Sequence, residues 1–430
     1  MKLNLAPLKR ALDRNLKMRN FVPYERFLQA VSEQGDAWIV SQGEYVLWWQ
    51  KRALSNLQVT VSNGECHATS PLAQAIIENH PNDFYASPQA TIPCPDSDFD
   101  GPVWLTIDQS LEHEEIFKKA LRREGILNYT EGTDGEFFFS HETAPILEQM
   151  AAALERARMG DFHRGVIEIR QLIVERLAQK RVPLLRVWYH PCVDNRIIKV
   201  VISARYDVDR AITNMPKIWD LEHKYQASST AHLRPLGPFY SQRKIKEIVK
   251  HPTCPEIALH GEFTGHASRF GNLLKAAIAE KTKLEEITGR EILGASLHGG
   301  ELTKHNTPKA RAVIPKAGFL YNASLWSGST HYYFPFQRKG ESGTFENTYH
   351  LHTNFRDIQV PYSEQYAEGF FNQAMRQVEI TRQHHGVLVM VLHAVYFGFG
   401  SYLLNFENLV RLFAFLPTYF WRLLKHTDKN

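Results

Sequence analysis

The sequence predicts an α/β protein, a barrel of alternating strands and helices preceded by a smaller α+β region. Three observations lead there. From Leu184 onward, short apolar runs alternate with polar loops and helical stretches, the pattern of parallel strands joined by helices. Several of these runs end in Asp or His, and a barrel of this kind keeps its site at the C-terminal ends of its strands. The length, 430 residues, exceeds one compact domain and leaves room for a further region ahead of the barrel.

The elements follow in order. Residues 22–32 have helical spacing, and the run DAWIVSQGEYVLWWQKRALSNLQVTV leads to a strand ending near Val61. Residues 80–102, rich in Pro, Asp, Ser and Asn, predict a linker or long loop. An amphipathic helix at 113–123, a hairpin in ILNYTEGTDGEFFFS and helices at 143–158 and 165–180 complete the region. The barrel strands are predicted at 198–205, 226–232, 256–260, 291–298, 318–322, 356–360 and 387–393. Helices at 216–225, 240–250, 270–288 and 307–317 fall between them. The chain thus divides into an N-terminal α+β segment (1–79), a linker with a mostly helical α+β region (80–183) and the barrel (184–430).

Composition removes several classes of function. An apolar fraction of 43% excludes a disordered or fibrous polymer, and a net charge of +4 over this length gives no argument for nucleic acid. A winged-helix reading of residues 105–140 founders on HEEIFKKALRREG, whose mixed charges suit a solvated face. Cys66, Cys94, Cys192 and Cys254 form no C-x-x-C pair, and the basic start lacks the apolar core of a secretory signal. Together these predict a cytoplasmic protein with reduced thiols. The apolar stretch 386–404 is long enough to span a membrane, but three glycines and His393 interrupt it, so a buried strand and loop are predicted and no transmembrane span. The helix that follows, NFENLVRLFAFLPTYFWRLLKH, is expected to pack on the fold, with peripheral membrane contact as the alternative. Oligomeric state is not legible.

Twenty histidines are the unusual entry in the composition, because histidine is the commonest metal ligand and the natural acid or base near neutral pH. In SARYDVD, Asp207 and Asp209 sit two apart and point to one side of extended chain. Two carboxylates crowded at one mouth suit a base beside a metal ligand, while an Asx turn or helix cap is the other service such a pair performs. In EIALHGEFTGH a strand ends at His260, and Gly261 and Gly265 allow the loop to return His266 towards it. His298 closes the next strand in EILGASLHGG. Asp209, His260 and His298 could supply three ligands with a fourth position left for water, while loop hydrogen bonding is the ordinary service of each histidine alone. His393 ends the last strand in LVMVLHAVYFG, where it could act as a general acid or simply bond to backbone. His350, His352, His384 and His385 lack such a strand end and are expected at the surface.

RYDVD, EIALHGEF, EKTKLEEITGREILGASLH, KAGFLYNASLW and VLHAVYF, taken in order, resemble the polysaccharide deacetylases of the NodB-homology type, carbohydrate esterase family four, over residues 184–425. The resemblance implies a distorted (β/α)₇ barrel and a metal-dependent hydrolase acting on carbon–nitrogen, non-peptide bonds. Its substrate would be an N-acetylated (or O-acetylated) amino sugar or polysaccharide precursor. It makes Asp207 the catalytic base and His393 the acid, with Asp209 and His260 as metal ligands and His298 or His266 as the third. Zinc is the default ion, with cobalt, nickel and manganese as alternatives. Two departures stand out: Thr264 occupies the position of the family's second histidine, and Ser296 that of the arginine which orients the base. They motivate the alternative of a catalytically impaired barrel serving as a glycan-binding or assembly module in surface polysaccharide synthesis. PYERFLQAVSEQGDAWIVSQGEYVLWWQKRA also resembles the closing helix-and-edge portion of such a barrel, with an unrelated α+β unit as the alternative.

Overall fold

A computed structural model describes residues 21–54, a set of short strands between residues 58 and 140, and residues 184–397 apart from brief stretches. The predicted helices at 113–123, 143–158 and 165–180, His384 and His385, and everything beyond residue 397 lie outside the described residues.

The main elements are α1 (Phe21–Gln34), β1 (Ala37–Ile39), α2 (Gln42–Leu54), β2 (Val200–Asp207), α3 (Met215–Lys224), β3 (Thr230–Leu233), α4 (Gln242–Ile248) and β4 (Glu256–Gly261). They continue with α5 (Phe263–Phe270), α6 (Leu273–Thr288), β5 (Gly294–Leu297), α7 (Pro308–Arg311), α8 (Val313–Lys316), β6 (Tyr321–Trp326) and β7 (Phe336–Lys339). The last are β8 (Phe345–Thr353), β9 (Phe355–Arg356), α9 (Tyr366–Gln383) and β10 (Val387–His393). One sheet runs β7-β8-β6-β5-β4-β3-β2-β10-β9, with β1 also paired to β2. All pairings in it are parallel except β7 with β8.

The ring closes through one kinked segment. β8 pairs with β6 as far as Thr353, then the Asn354 amide bonds the Val389 carbonyl and β9 pairs with β10. Seven parallel strand positions result, and the fold is a distorted (β/α)₇ barrel. The sixth strand differs from expectation. It runs 345–356 rather than 356–360, where Asp357–Gln359 is a short 3₁₀ turn. FENTYHLHT disguises it, because the residues that alternate with inward-facing Tyr349 and Leu351 are the polar Thr348, His350 and His352. His350 is consequently buried, not at the surface, and contacts Asn322 at 3.2 Å.

β2 shows how alternation builds both layers. Val200, Ile202, Ala204 and Tyr206 face outward into a core shared with Tyr24, Phe27, Leu28 and Val31 of α1. Val201 faces inward among Ala258, Tyr321, Ala323, Leu351 and Val389. Period-two alternation therefore places Ser203, Arg205 and Asp207 inside the barrel as well.

Residues 21–54 belong to this same body. β1 extends the sheet at the foot of β2, and Tyr45, Val46 and Trp49, at i, i+1 and i+4 on α2, enter the interior core. α1 is tied down by Tyr24, whose hydroxyl donates to Glu222 Oε1 at 2.9 Å beside Tyr206 at 2.8 Å, while Ser229 donates to Oε2 at 2.6 Å. The α2 N-terminus is pinned by Glu256, which accepts from the Gly43 amide (2.7 Å), Thr230 (2.8 Å) and Tyr321 (2.9 Å).

Other departures are local. The predicted linker 80–102 contains strands Phe84–Ala86 and Gln89–Pro93, which pair in antiparallel sheets. The predicted hairpin forms between Thr130–Glu131 and Phe137–Ser140, joined by Pro102–Leu105. The helix predicted at 270–288 is one helix, α6, which starts at Leu273 with Asn272 capping it through the Lys275 amide; α5 before it, ending at Phe270 ahead of Gly271 (φ +96°), was not predicted. No prediction covered α9.

Gly294 on β5 sits in register with Tyr321 on β6, and a Cβ there would overlap the Tyr321 ring. That ring is fixed by its bond to Glu256, so Gly294→Ala should destabilise the protein by about 3 kcal/mol, the upper end of ordinary overpacking. A urea titration that left the midpoint unchanged would contradict this packing.

Candidate metal centre and acid–base pair

The strand ends predicted to carry the chemistry meet at one mouth. Asp207 ends β2 in register with His232 on one side and His393 on the other. Asp209 follows two residues later, turned the same way, with its Oδ1 3.3 Å from His260 Nε2 and 3.4 Å from His298 Nε2. One ligand atom from each of these three residues lies within 4.8 Å of the others. The spacings are long for charge-assisted hydrogen bonds, which close to about 2.7–2.9 Å. They equal the roughly 3.3–3.4 Å between ligands spaced tetrahedrally around an ion with bonds of about 2.0–2.1 Å. His260 Nε2 is buried without a hydrogen-bond partner. One oxygen and two imidazole nitrogens at this spacing fit a divalent ion of the zinc type.

His266 is not brought to this group. It lies on α5 with Nδ1 2.8 Å from Glu280, and the turn into that helix carries it away. Glu262, which sequence reasoning passed over, stands closer. It lies 2.9 Å from His298 Nδ1 and 2.5 Å from Arg234, whose other nitrogen is 3.4 Å from Asp209. Glu262, His298 and His305 also cluster, and Glu262 faces His298 Nδ1, the ring nitrogen turned away from Asp209. Burial raises the Glu262 carboxyl, yet His298 and Arg234 outweigh it and hold it well below the usual range. Alternation could have found it, since Glu262 follows His260 by two.

Asp207 is 8% exposed, and its partner is Arg205, two residues back on the same face of β2. The guanidinium lies 3.2 Å from both carboxylate oxygens and also donates to the Ala323 carbonyl. Burial by itself would raise the Asp207 pKa, but Arg205 first, then His260 and His393, hold it well below the ordinary value. The carboxylate is therefore ionised across the neutral range. A guanidinium thus does stand beside Asp207, contributed by Arg205 from β2 itself, while position 296 holds serine. Ser296 instead accepts a place in the interior, 2.9 Å from His260 Nδ1 and 2.8 Å from His232 Nδ1.

His393 is held by Asp357. The buried carboxylate lies 2.7 Å from Nδ1 and accepts from the His393 amide at 2.8 Å. Burial works against the charged ring, but Asp357, and then Asp207, push its pKa up to about 9. His393 is thus protonated at neutral pH and able to give a proton. In Asp357→Asn the imidazole loses that support, and its pKa falls back towards or below 6.5. The alkaline limb of kcat/KM should move down from near pH 9 by at least about one unit. A profile unchanged from wild type would remove His393 from the acid role.

No protein-family model matches the sequence, and no curated protein matches it. Similar solved structures include a Mycobacterium smegmatis protein assigned to the polysaccharide deacetylases, 15% identical, covering 46% of this chain and 77% of that one, with a TM-score of 0.36. Puue allantoinase is 14% identical over 51% of this chain and 84% of its own, with a TM-score of 0.35. The polysaccharide deacetylase Bc1974 from Bacillus cereus is 10% identical over 46% and 79%, with a TM-score of 0.29. Resemblances this low leave the chemistry to be argued from the site's own atoms.

Proposed function

We propose that the protein is a metal-dependent hydrolase that removes N-acetyl groups from an amino sugar or a polysaccharide precursor. The observation carrying this reading is the joint geometry at one barrel mouth. A three-ligand group (Asp209, His260, His298) adjoins a buried, ionised carboxylate and a protonated imidazole. When bound, a divalent ion supplies Lewis-acid polarisation of the acyl oxygen and acidifies water. Asp207 takes the proton from the attacking water, with Arg205 holding the carboxylate in place. His393 gives its Nε2 proton to the departing amine, while Asp357 keeps the ring oriented and charged. The same pair would serve an O-acetyl ester, whose leaving alcohol needs less help from an acid.

The impaired-barrel alternative was motivated by Ser296 and by Thr264 in place of a second histidine; Arg205 beside Asp207 and His298 beside Asp209 weigh against it. Zinc-loaded full-length protein should release acetate from a panel of N-acetylated and O-acetylated sugars and carry one zinc per chain. His260→Ala should abolish both the zinc and the release. Stoichiometric zinc in that variant, or no acetate from any sugar by the loaded wild type, would overturn the proposal. Among the described residues no helix is long and apolar enough to cross a membrane.

A further inference from the structure

Behind the metal centre a file of buried polar side chains crosses the barrel to the N-terminal segment. His260 Nδ1 lies 2.9 Å from Ser296 Oγ, Ser296 Oγ 2.8 Å from His232 Nδ1, and His232 Nε2 2.8 Å from Gln42 Oε1. All four side chains are essentially excluded from solvent, with relative exposures of 0–1%. Gln42 is fixed by its own backbone, whose amide donates to Thr230 Oγ1 at 2.8 Å, and by the next amide, held by Glu256.

The protons in this file have one consistent order. A histidine that offers Nε2 to a metal carries its ring proton on Nδ1. Nδ1 of His260 then donates to Ser296, whose hydroxyl is left to donate onward to Nδ1 of His232. Nδ1 of His232 must be bare, so its proton sits on Nε2 and is given to Gln42. With Oε1 of Gln42 facing His232, the amide only accepts at this point and closes the file in this direction. Without an acceptor at position 42, His232 gains by moving its proton to Nδ1, and every donor behind it reverses. Nε2 of His260 then bears a hydrogen and cannot ligate.

From this order we infer that Gln42 is a positioning residue: through His232 and Ser296 it fixes the ring tautomer that leaves Nε2 of His260 with a lone pair for a metal ion. Burial, together with Arg205, keeps His232 neutral, as the file requires. The inference rests on the metal-centre reading above, and its test separates the two.

The first measurement is the ring tautomers of the metal-free full chain, by long-range ¹H–¹⁵N spectra of protein labelled at histidine. His232 should carry its proton on Nε2 and His260 on Nδ1. A proton on Nδ1 of His232, given to Ser296 or to the Leu259 carbonyl, would overturn the inference whatever the metal does. The second is zinc affinity by competition with a chelator. Gln42→Met, close in volume, should weaken zinc about 10–100-fold, the usual effect of losing a group that orients a ligand. Ser296→Ala should do the same, and the double variant should be no weaker than Ser296→Ala, because Gln42 acts only through the hydroxyl. A Gln42→Met that binds as wild type does, or one that adds its full effect in the Ser296→Ala background, would make Gln42 a packing residue. Wild-type protein that takes up no zinc would instead refute the metal centre itself, leaving the tautomers to decide the role of Gln42.

Discussion

Asp207→Asn should lower kcat for acetate release by about 10³-fold, within the 10²–10⁴ that a positioned acid or base contributes. The amide has nearly the shape of the carboxylate but cannot take a proton from water. It also turns one hydrogen-bond acceptor into a donor that faces the Arg205 guanidinium. KM should change little, because the Asp207 carboxylate is nearly enclosed and held by Arg205. Zinc content should stay near one per chain, since Asp209, His260 and His298 remain. Zinc retained with activity lost is the signature of a base. If Asp207→Asn lost its zinc, Asp207 would be a ligand, and a variant within tenfold of wild type would move the base elsewhere.

What the sequence made legible here follows from periodicity. A seven-residue run that alternates and carries two acidic residues at its end, SARYDVD, says which residues share a face, and Asp207 and Asp209 do turn the same way. His260, His298 and His393 were visible because each ends an apolar run. His266 misled because a spacing along the chain cannot show whether a glycine bends a loop back or a helix leads away. Here α5 starts at Phe263 and turns the side chain to Glu280.

Partners were harder to read than the site residues themselves. Arg205 lay within reach of the same alternation that found Asp207, but a positive charge inside an apolar strand reads as an exposed residue until its carboxylate partner is placed. Asp357 and Gln42 were beyond sequence reasoning, because their roles depend on contacts across 36 and 190 positions of chain. Residues 21–54 resembled the closing portion of such a barrel, but nothing in α2 says that Tyr45, Val46 and Trp49 fill this barrel, formed by strands that begin at residue 200.

The pairing of Arg205 with Asp207 makes the largest prediction for stability. Arg205→Met keeps the aliphatic stem and removes the charge, so the lost energy comes from the carboxylate left behind. Asp207 is nearly enclosed, and breaking a buried pair on one side costs about 3–5 kcal/mol, because one charge remains uncompensated. Loss of the hydrogen bond to the Ala323 carbonyl adds to that. The pH dependence gives the cause away. In the wild type the Asp207 pKa is depressed, so its contribution to stability is present above the unfolded value near 3.9 and is lost as pH falls through the folded value. In Arg205→Met burial prevails and the folded pKa rises above about 3.9, reversing the sign: stability then declines as pH climbs from there to the raised value. The gap between variant and wild type should therefore be wide at pH 7 and narrow towards pH 4, as measured by urea unfolding at both. A gap of equal size at the two pH values would mean that Arg205 supports packing alone and that the ionised state of Asp207 owes nothing to it.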